Sequence, residues 1–428
     1  MKNQSFLAKG KEQWVMLVAF LLAFSVPLLS QDIDFNFKTL QNVNVTSATD
    51  LKFGPDGRLY VVEVDGDVKI FDIGIDGSGE YVVNDTELIS FIKSIPNHDD
   101  DGSPCSGGSN CNQRQVTGIA VGGTAENPVF YVSSSDKRVG AGGGGGDADL
   151  DTNSGVITQA TWNGSSWGVV DIVRGLPRSE ENHATNGMEL VDINGTNYLL
   201  VCSGGFTNAG APSNNFAYIT EYALAAAVLA IDLDMLASMS VQTDPESGRQ
   251  YIYDLPTLDD PTRPNVNGIT DPDIPGYDGI DEGDPWGGND GLNMSMLVPG
   301  SPVKMFSAGY RNTYDLVVTQ SGAVYVTDNG ANGNWGGYPF NEASPDVDNR
   351  YRVNEPGSTS DDAANSEPKV NNSDHLNLVT TDISQYTFGA AYGGHPCPVR
   401  ANVNAGLYTR GTHTSDPNDD DNDGFTDG

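Results

Sequence analysis

An all-β fold is what this sequence predicts, and three observations predict it. Only 19% of the 428 residues are charged, while Gly (51) and Pro (23) are abundant, a composition of many turns and few long helices. Apolar alternation of period two recurs around tight polar turns, which is the mark of β-hairpins. The hairpins also resemble one another. Self-similar sheet units at intervals somewhat above the usual blade length predict a β-propeller of four-stranded blades with long loop insertions. A β-sandwich is the runner-up, since it would not require the self-similarity.

The elements follow in order. Residues 1–30 place Lys2, Lys9 and Lys11 ahead of the apolar run WVMLVAFLLAFSVPLLS, a secretory signal peptide too short to be a membrane anchor. The four hairpins are read at 49–74, 116–136, 186–205 and 314–330. Tyr60, Tyr131, Tyr198 and Tyr325 hold equivalent places in their second strands, separated by 71, 67 and 127 residues, the last close to two periods. The run 222–239 is apolar but interrupted by two Asp, so it reads as an amphipathic helix or buried strand, with no transmembrane anchor elsewhere. The Gly-rich stretch 139–153 lacks the Lys and following helix of a phosphate loop. Long acidic insertions at 259–291 and 341–374 are where binding residues tend to sit.

A net charge of -36 makes nucleic acid and anionic membranes poor partners and suits divalent cations. Four cysteines in an exported chain allow a local Cys105–Cys111 disulfide across SGGSN, and leave a Cys202–Cys397 pair open. At the end of the chain, Asp419, Asp421, Asp423 and Asp427 around Gly424 set alternating carboxylates in a tight turn, a pattern that can surround one hard cation. This resembles the start of a thrombospondin type 3 calcium repeat, against the plainer reading of a solvated acidic tail. The chain stops inside the repeat, so the front piece of a longer product is expected. The domains are then 1–30, 31–410 and 411–428.

Four segments carry chemistry. Gly175-Leu176-Pro177 leads to His183 and Gly187 at a strand start. Gly309-Tyr310-Arg311-Asn312 precedes another strand. Asp328-Asn329-Gly330-Ala331 forms the turn after it, and Asp374-His375-Leu376-Asn377-Leu378 and Gly394-His395-Pro396 come last. Singly, each has a bland reading: a solvated His, an Arg paired with a nearby Asp, a turn. As an ordered set over about residues 49–400 they resemble the glucose/sorbosone dehydrogenase family, soluble quinoprotein sugar dehydrogenases. Tyr310 stands where that family has His, Ala331 where it has Pro, and His375 where it has Glu.

The resemblance implies a six-bladed propeller that oxidises a sugar with pyrroloquinoline quinone and Ca2+ and passes electrons to an acceptor. His183 would be the base that takes the hydroxyl proton, and Arg311 would stabilise charge on the quinone oxygens beside Asn312. Carbonyls of Gly330 and Ala331 would ligate the Ca2+, and Asp374 matches a position used for a second, structural calcium. The family's later blades carry cationic residues that hold the cofactor's carboxylates, where this chain enters its Asp-rich repeat. Either the propeller resumes beyond residue 428 or it is incomplete. The competing reading is a non-catalytic secreted propeller that binds glycans or protein partners, with another propeller enzyme such as a lactonase third. No strand–Gly-x-Gly-x-x-Gly–helix unit supports a nicotinamide enzyme.

Overall fold

The computed structural model describes residues 37–106, 109–140, 148–210, 214–217, 219, 221–259, 275, 277, 279–288, 293–332, 335 and 373–395. Residues 1–30, the tail 411–428 with Asp419, Asp421, Asp423 and Asp427, and Cys397 lie outside them.

The chain begins with a four-stranded antiparallel meander, β1 (Ala48–Phe53), β2 (Leu59–Glu63), β3 (Val68–Ile75) and β4 (Tyr81–Ile89). A second meander follows: β5 (Arg114–Gly123), β6 (Pro128–Asp136), β7 (Gly155–Trp162) and β8 (Trp167–Leu176). β9 (Thr185–Ile193), β10 (Thr196–Ser203) and β11 (Ala227–Asp232) build most of a third sheet. The chain then turns through a short helix, α1 (Leu233–Ser238), and four small strands: β12 (Gln242–Thr243), β13 (Gln250–Asp254), β14 (Thr257–Leu258) and β15 (Ile280–Asp281). It returns as β16 (Val303–Ala308), which completes the third sheet against β11. A fourth sheet holds β17 (Thr313–Val318), β18 (Val324–Asp328) and β19 (His375–Thr380).

All four predicted hairpins form, and the four tyrosines sit in β2, β6, β10 and β18. Tyr60 helps fill the layer between the first and second sheets with Val62, Ile119 and Phe130. Tyr131 serves between the second and third with Ile157, Met188 and Leu229. Tyr198 serves between the third and fourth with Val228, Leu316 and Val326. Each buried side chain of this size contributes roughly 1.5–3 kcal/mol relative to exposure, so a repeat of one sequence position becomes a repeat of one packing layer.

The first strands of the sheets, β1, β5, β9 and β17, pack successively on one another. Two glycines allow the close approach. A Cβ on Gly118 of β5 would lie 2.1 Å from the Asn186 carbonyl oxygen at the start of β9, and one on Gly187 would lie 2.4 Å from an Asp315 oxygen of β17. Lys52 of β1 reaches Glu189 of β9 at 3.3 Å, and the Tyr314 hydroxyl of β17 is 3.4 Å from the Thr49 carbonyl of β1. The inner strands thus surround a common axis in a β-propeller arrangement.

One expectation is corrected among the described residues and another stays open. Four blade-like sheets and a separate two-stranded sheet, β14–β15, are described, which leaves the expected count of six unconfirmed, and the blades are not uniformly four-stranded. The second has six strands, because β13 adds parallel to the free edge of β8 and β12 pairs with β13. Reciprocal charge pairs explain the addition: Arg174 of β8 grips Asp254 of β13 at 2.6 and 2.8 Å, and Arg249 grips Asp171 of β8 at 2.7 and 2.8 Å. The fourth sheet has three strands. The segment 222–239 is both things its pattern allowed, a fully buried strand and then a helix. One of the interrupting Asp, Asp232, caps that helix by accepting from the Met235 amide at 2.9 Å.

The Cys105–Cys111 disulfide is formed. Cys202 is buried in β10. No helix among the described residues is long and apolar enough to cross a membrane.

Candidate functional site

Antiparallel pairing brings the leading end of each inner strand beside the trailing end of the second strand. His183 lies two residues before β9, Arg311 two before β17, and Gly204-Gly205 follow β10, so these groups meet where the third and fourth sheets adjoin. The Gly205 amide donates to the Arg311 carbonyl at 2.8 Å, and the Gly204 amide to the Ala184 carbonyl at 2.9 Å. A Cβ on Gly205 would stand 2.7 Å from the Arg311 carbonyl oxygen, so the close approach requires glycine there.

His183 is not a surface residue. It is 4% exposed, with its ring edge against Phe216 at 5.3 Å between centroids. Its Nδ1 is 2.8 Å from the Gly205 carbonyl oxygen. A carbonyl only accepts, so the proton resides on Nδ1 and the Nε2 lone pair is left available. Burial, and then the Arg311 charge, hold the imidazole well below the ordinary value of 6.5, so it is neutral at physiological pH. Nε2 faces a Glu181 carboxyl oxygen at 3.5 Å, and burial pushes that carboxyl upward.

Arg311 is 5% exposed and makes one side-chain hydrogen bond among the described residues, Nε to Asn208 Oδ1 at 3.0 Å. Its Nη2 is buried and has no hydrogen-bond partner among the described residues. Burial lowers its pKa, opposed by the charges of Glu181, Asp328, Asp374 and Glu221. An open guanidinium nitrogen in a buried setting is an unusual expense, because an uncompensated buried donor costs about 1–3 kcal/mol or more when charged.

Asn312 takes part in a chain of amides. Its Oδ1 accepts from Asn186 Nδ2 at 3.1 Å, its Nδ2 donates to Asn329 Oδ1 at 2.9 Å, and its backbone amide donates to Asp328 at 2.9 Å. The Gly330 amide donates to Asp374 at 3.0 Å, so Asp374 braces the 328–331 turn itself. Asn208 ties the same turn to Arg311, accepting from the Asn332 amide at 2.8 Å and donating to its carbonyl at 2.9 Å. Arg311, Asp328, Gly330, Ala331, His375 and His395 are among the residues that line a cavity of about 120 Å³.

The structure therefore brings Arg311, Gly330 and Ala331 to one cavity, with Asn312 and Asp374 bonded to the turn that lines it; His183 is joined to them through Gly204-Gly205 but is not among the residues that line the cavity. Sequence reasoning missed Glu181, Asn208 and Glu221, and used His395 only as part of a matching segment. The Glu221 carboxylate accepts from the Phe206 amide at 2.8 Å and the Thr207 hydroxyl at 3.0 Å, and faces His395 Nε2 at 3.3 Å. A lone acidic residue in the otherwise apolar run FAYITEYALAAAV was the available signal.

The orphaned Arg311 nitrogen, the glycine-containing turn and the neutral imidazole fit the oxygen-rich reactive edge of a quinone bound with a cation. The cavity is smaller than the roughly 300 Å³ at which ligand pockets begin, so the described residues do not enclose a whole tricycle. Among the described residues there is no cluster of three or more His, Cys, Asp or Glu that could hold a metal ion, so a calcium here would rely on carbonyls such as those of Gly330 and Ala331.

No protein-family model matches the sequence, and no curated protein matches it. Solved structures similar to the chain include a calcium structure of a Trichoderma reesei enzyme of carbohydrate-active family AA12 (13% identity, TM-score 0.37, covering 81% of this chain and 54% of that one). Another is the PQQ-bound aldose sugar dehydrogenase of Streptomyces coelicolor (14% identity, TM-score 0.31, 74% and 67%). A third is the PQQ domain of a Coprinopsis cinerea pyranose dehydrogenase (12% identity, TM-score 0.35, 82% and 54%). The chain spans about half the length of the first and third of these. The likeness is distant, and no function is read from it.

Proposed function

We propose that the protein is an exported sugar dehydrogenase that uses pyrroloquinoline quinone and Ca2+ and delivers electrons to a separate acceptor. The observation that carries this reading is the pairing of a buried neutral imidazole, its Nε2 lone pair kept available, with a buried guanidinium nitrogen that has no hydrogen-bond partner among the described residues. The ordered motifs that resemble the glucose/sorbosone dehydrogenases support it.

When bound, the quinone supplies the two-electron sink that a C–H oxidation needs. The chain's own groups do the rest. His183 Nε2 accepts the proton of the sugar hydroxyl, and the Gly205 carbonyl steadies the imidazolium through Nδ1–H. Arg311 Nη2 supplies a fixed positive donor where negative charge grows. Asn312 and Asn329 keep the Arg311 strand and the 328–331 turn in register, and Gly330 and Ala331 would hold the cation through carbonyl oxygens. Glu181 is placed to take up the proton from His183.

The test is reconstitution with quinone and Ca2+, followed by a dye-linked assay on a sugar panel. His183→Ala should abolish turnover and leave quinone affinity within about twofold, as expected for a group acting only in the chemical step. Retained turnover in that variant would remove the base and with it the reading. The small cavity favours a second reading, a propeller that binds glycans or protein partners without catalysis; it predicts sugar binding by calorimetry with no dye reduction at any quinone concentration.

A further inference from the structure

His183 and Glu221 touch opposite ends of one peptide unit. The Gly205 carbonyl oxygen takes the hydrogen bond of His183 Nδ1–H at 2.8 Å, and the Phe206 amide of that same unit donates to Glu221 Oε1 at 2.8 Å. Nothing in the sequence joins these residues, which are 38 positions apart.

Glu221 is fixed in this place by its surroundings. It is 1% exposed, its Oε2 accepts from the Thr207 hydroxyl at 3.0 Å, and that hydroxyl is itself fixed by the Gly210 amide at 3.1 Å. A Cβ on Gly205 would lie 3.1 Å from both carboxylate oxygens, so the carboxylate lies flat against the peptide. Hydrogen bonds in a chain polarise one another, most strongly in a low-dielectric interior. A negative charge on the N–H side of a peptide increases the negative charge on its carbonyl oxygen, and a stronger acceptor there pulls on the Nδ1 proton of His183.

We infer that Glu221 is the positioning residue of His183, acting through the Gly205–Phe206 peptide as a carboxylate acts directly on the imidazole of a catalytic triad. The peptide separates base and carboxylate, so the charge reaches the ring without adding a second carboxylate at its surface. The other charged groups facing His183 are Arg311, Arg178 and His395, with Glu181 at Nε2. Arg311, Arg178 and Glu181 act on the ring through space, while His395 also touches Glu221 Oε2 at 3.3 Å and so bears on the same path.

Only the kinetic arm of the test rests on the proposed dehydrogenase. The structural arm uses the cofactor-free chain labelled with 15N-histidine, in which the Nδ1 proton of His183 is assigned by its loss in His183→Ala. Glu221→Gln keeps an oxygen acceptor but removes the charge, and the Nδ1 proton resonance should move upfield. Thr207→Val removes one donor from the carboxylate, frees charge toward the peptide, and should move the same resonance downfield by less. If Glu221→Gln fails to fold, the Thr207→Val shift decides alone. An unmoved resonance, or two shifts of the same sign, would overturn the inference. In the reconstituted enzyme Glu221→Gln should lower kcat about tenfold or more with KM unchanged, by analogy with outer-shell partners of reactive histidines. Loss of turnover in His183→Ala with normal kcat in Glu221→Gln would sink the relay and leave the dehydrogenase standing. Turnover retained in His183→Ala would do the opposite, with the resonance shifts still deciding the relay.

Discussion

Arg178 and Arg311 are both buried arginines on loops leading into inner strands, yet the fold treats them differently. Arg178 sits beside the second sheet, where its Nε donates to the Asp136 carbonyl at 3.0 Å, one terminal nitrogen to the Ser179 carbonyl, and the other to the Arg138 carbonyl at 2.8 Å and to Gln115 Oε1 at 3.5 Å. Every nitrogen is used. Arg311, between the third and fourth sheets, engages a single side-chain oxygen among the described residues, and its Nη2 has no partner there. The first cation ties loops together, and the second keeps a nitrogen that no described residue hydrogen-bonds.

The largest effect that would break this contrast is on Arg178. Arg178→Met strips three carbonyls, two of them buried, of their donor and should cost about 3–5 kcal/mol in chemical denaturation. A loss below 1 kcal/mol would mean that the hydrogen bonds around it are incidental. Next comes the Cys105–Cys111 bridge: opening it as a double Cys→Ser variant should cost about 2 kcal/mol, given its short loop. Arg311→Met should change stability by less than about 1 kcal/mol, because Asn208 Oδ1 keeps the Asn332 amide as a donor and a poorly paired buried charge is removed. Its effect should appear instead in ligand affinity, measured by calorimetry with the quinone.

The smallest effect is a pH dependence. Burial raises the Glu181 carboxyl above 4.5, so the folded state holds that proton more tightly than the unfolded state. The associated stability is fully present below pH 4.5 and is lost as pH rises through the raised value. Glu181→Gln should flatten that part of the stability–pH curve. His183 runs the other way: its depressed value places the acid limb of kcat/KM below pH 6.5, since the base is already neutral there.

The contrast between these arginines was not legible in the sequence, because both stand in polar loops ahead of strands. What could be read were patterns with a short range. The hairpins at β5–β6, β9–β10 and β17–β18 announce themselves through period-two alternation within some twenty residues, and the ends of those hairpins place His183, Arg311 and Gly330. Partners found by tertiary approach were invisible. Nothing local says that β13 should lie on β8, since that pairing depends on Arg174 and Arg249 meeting Asp254 and Asp171. Glu221 was passed over because its neighbours are apolar, and only the fold shows the Phe206 amide waiting for it.

The pairing of β11 with β16 has a consequence for how the chain is made. Between Asp232 and Val303 the chain leaves the third sheet, decorates the second, and only then comes back. During synthesis, the bare edge of the fully buried strand β11 must wait for the arrival of β16, and closing so long a connection is slow even though its equilibrium cost grows only gently with length. A nascent chain halted before Val303 would expose a continuous AVLAID edge, the kind of surface that recruits other strands, so chaperone dependence should peak while that stretch is emerging.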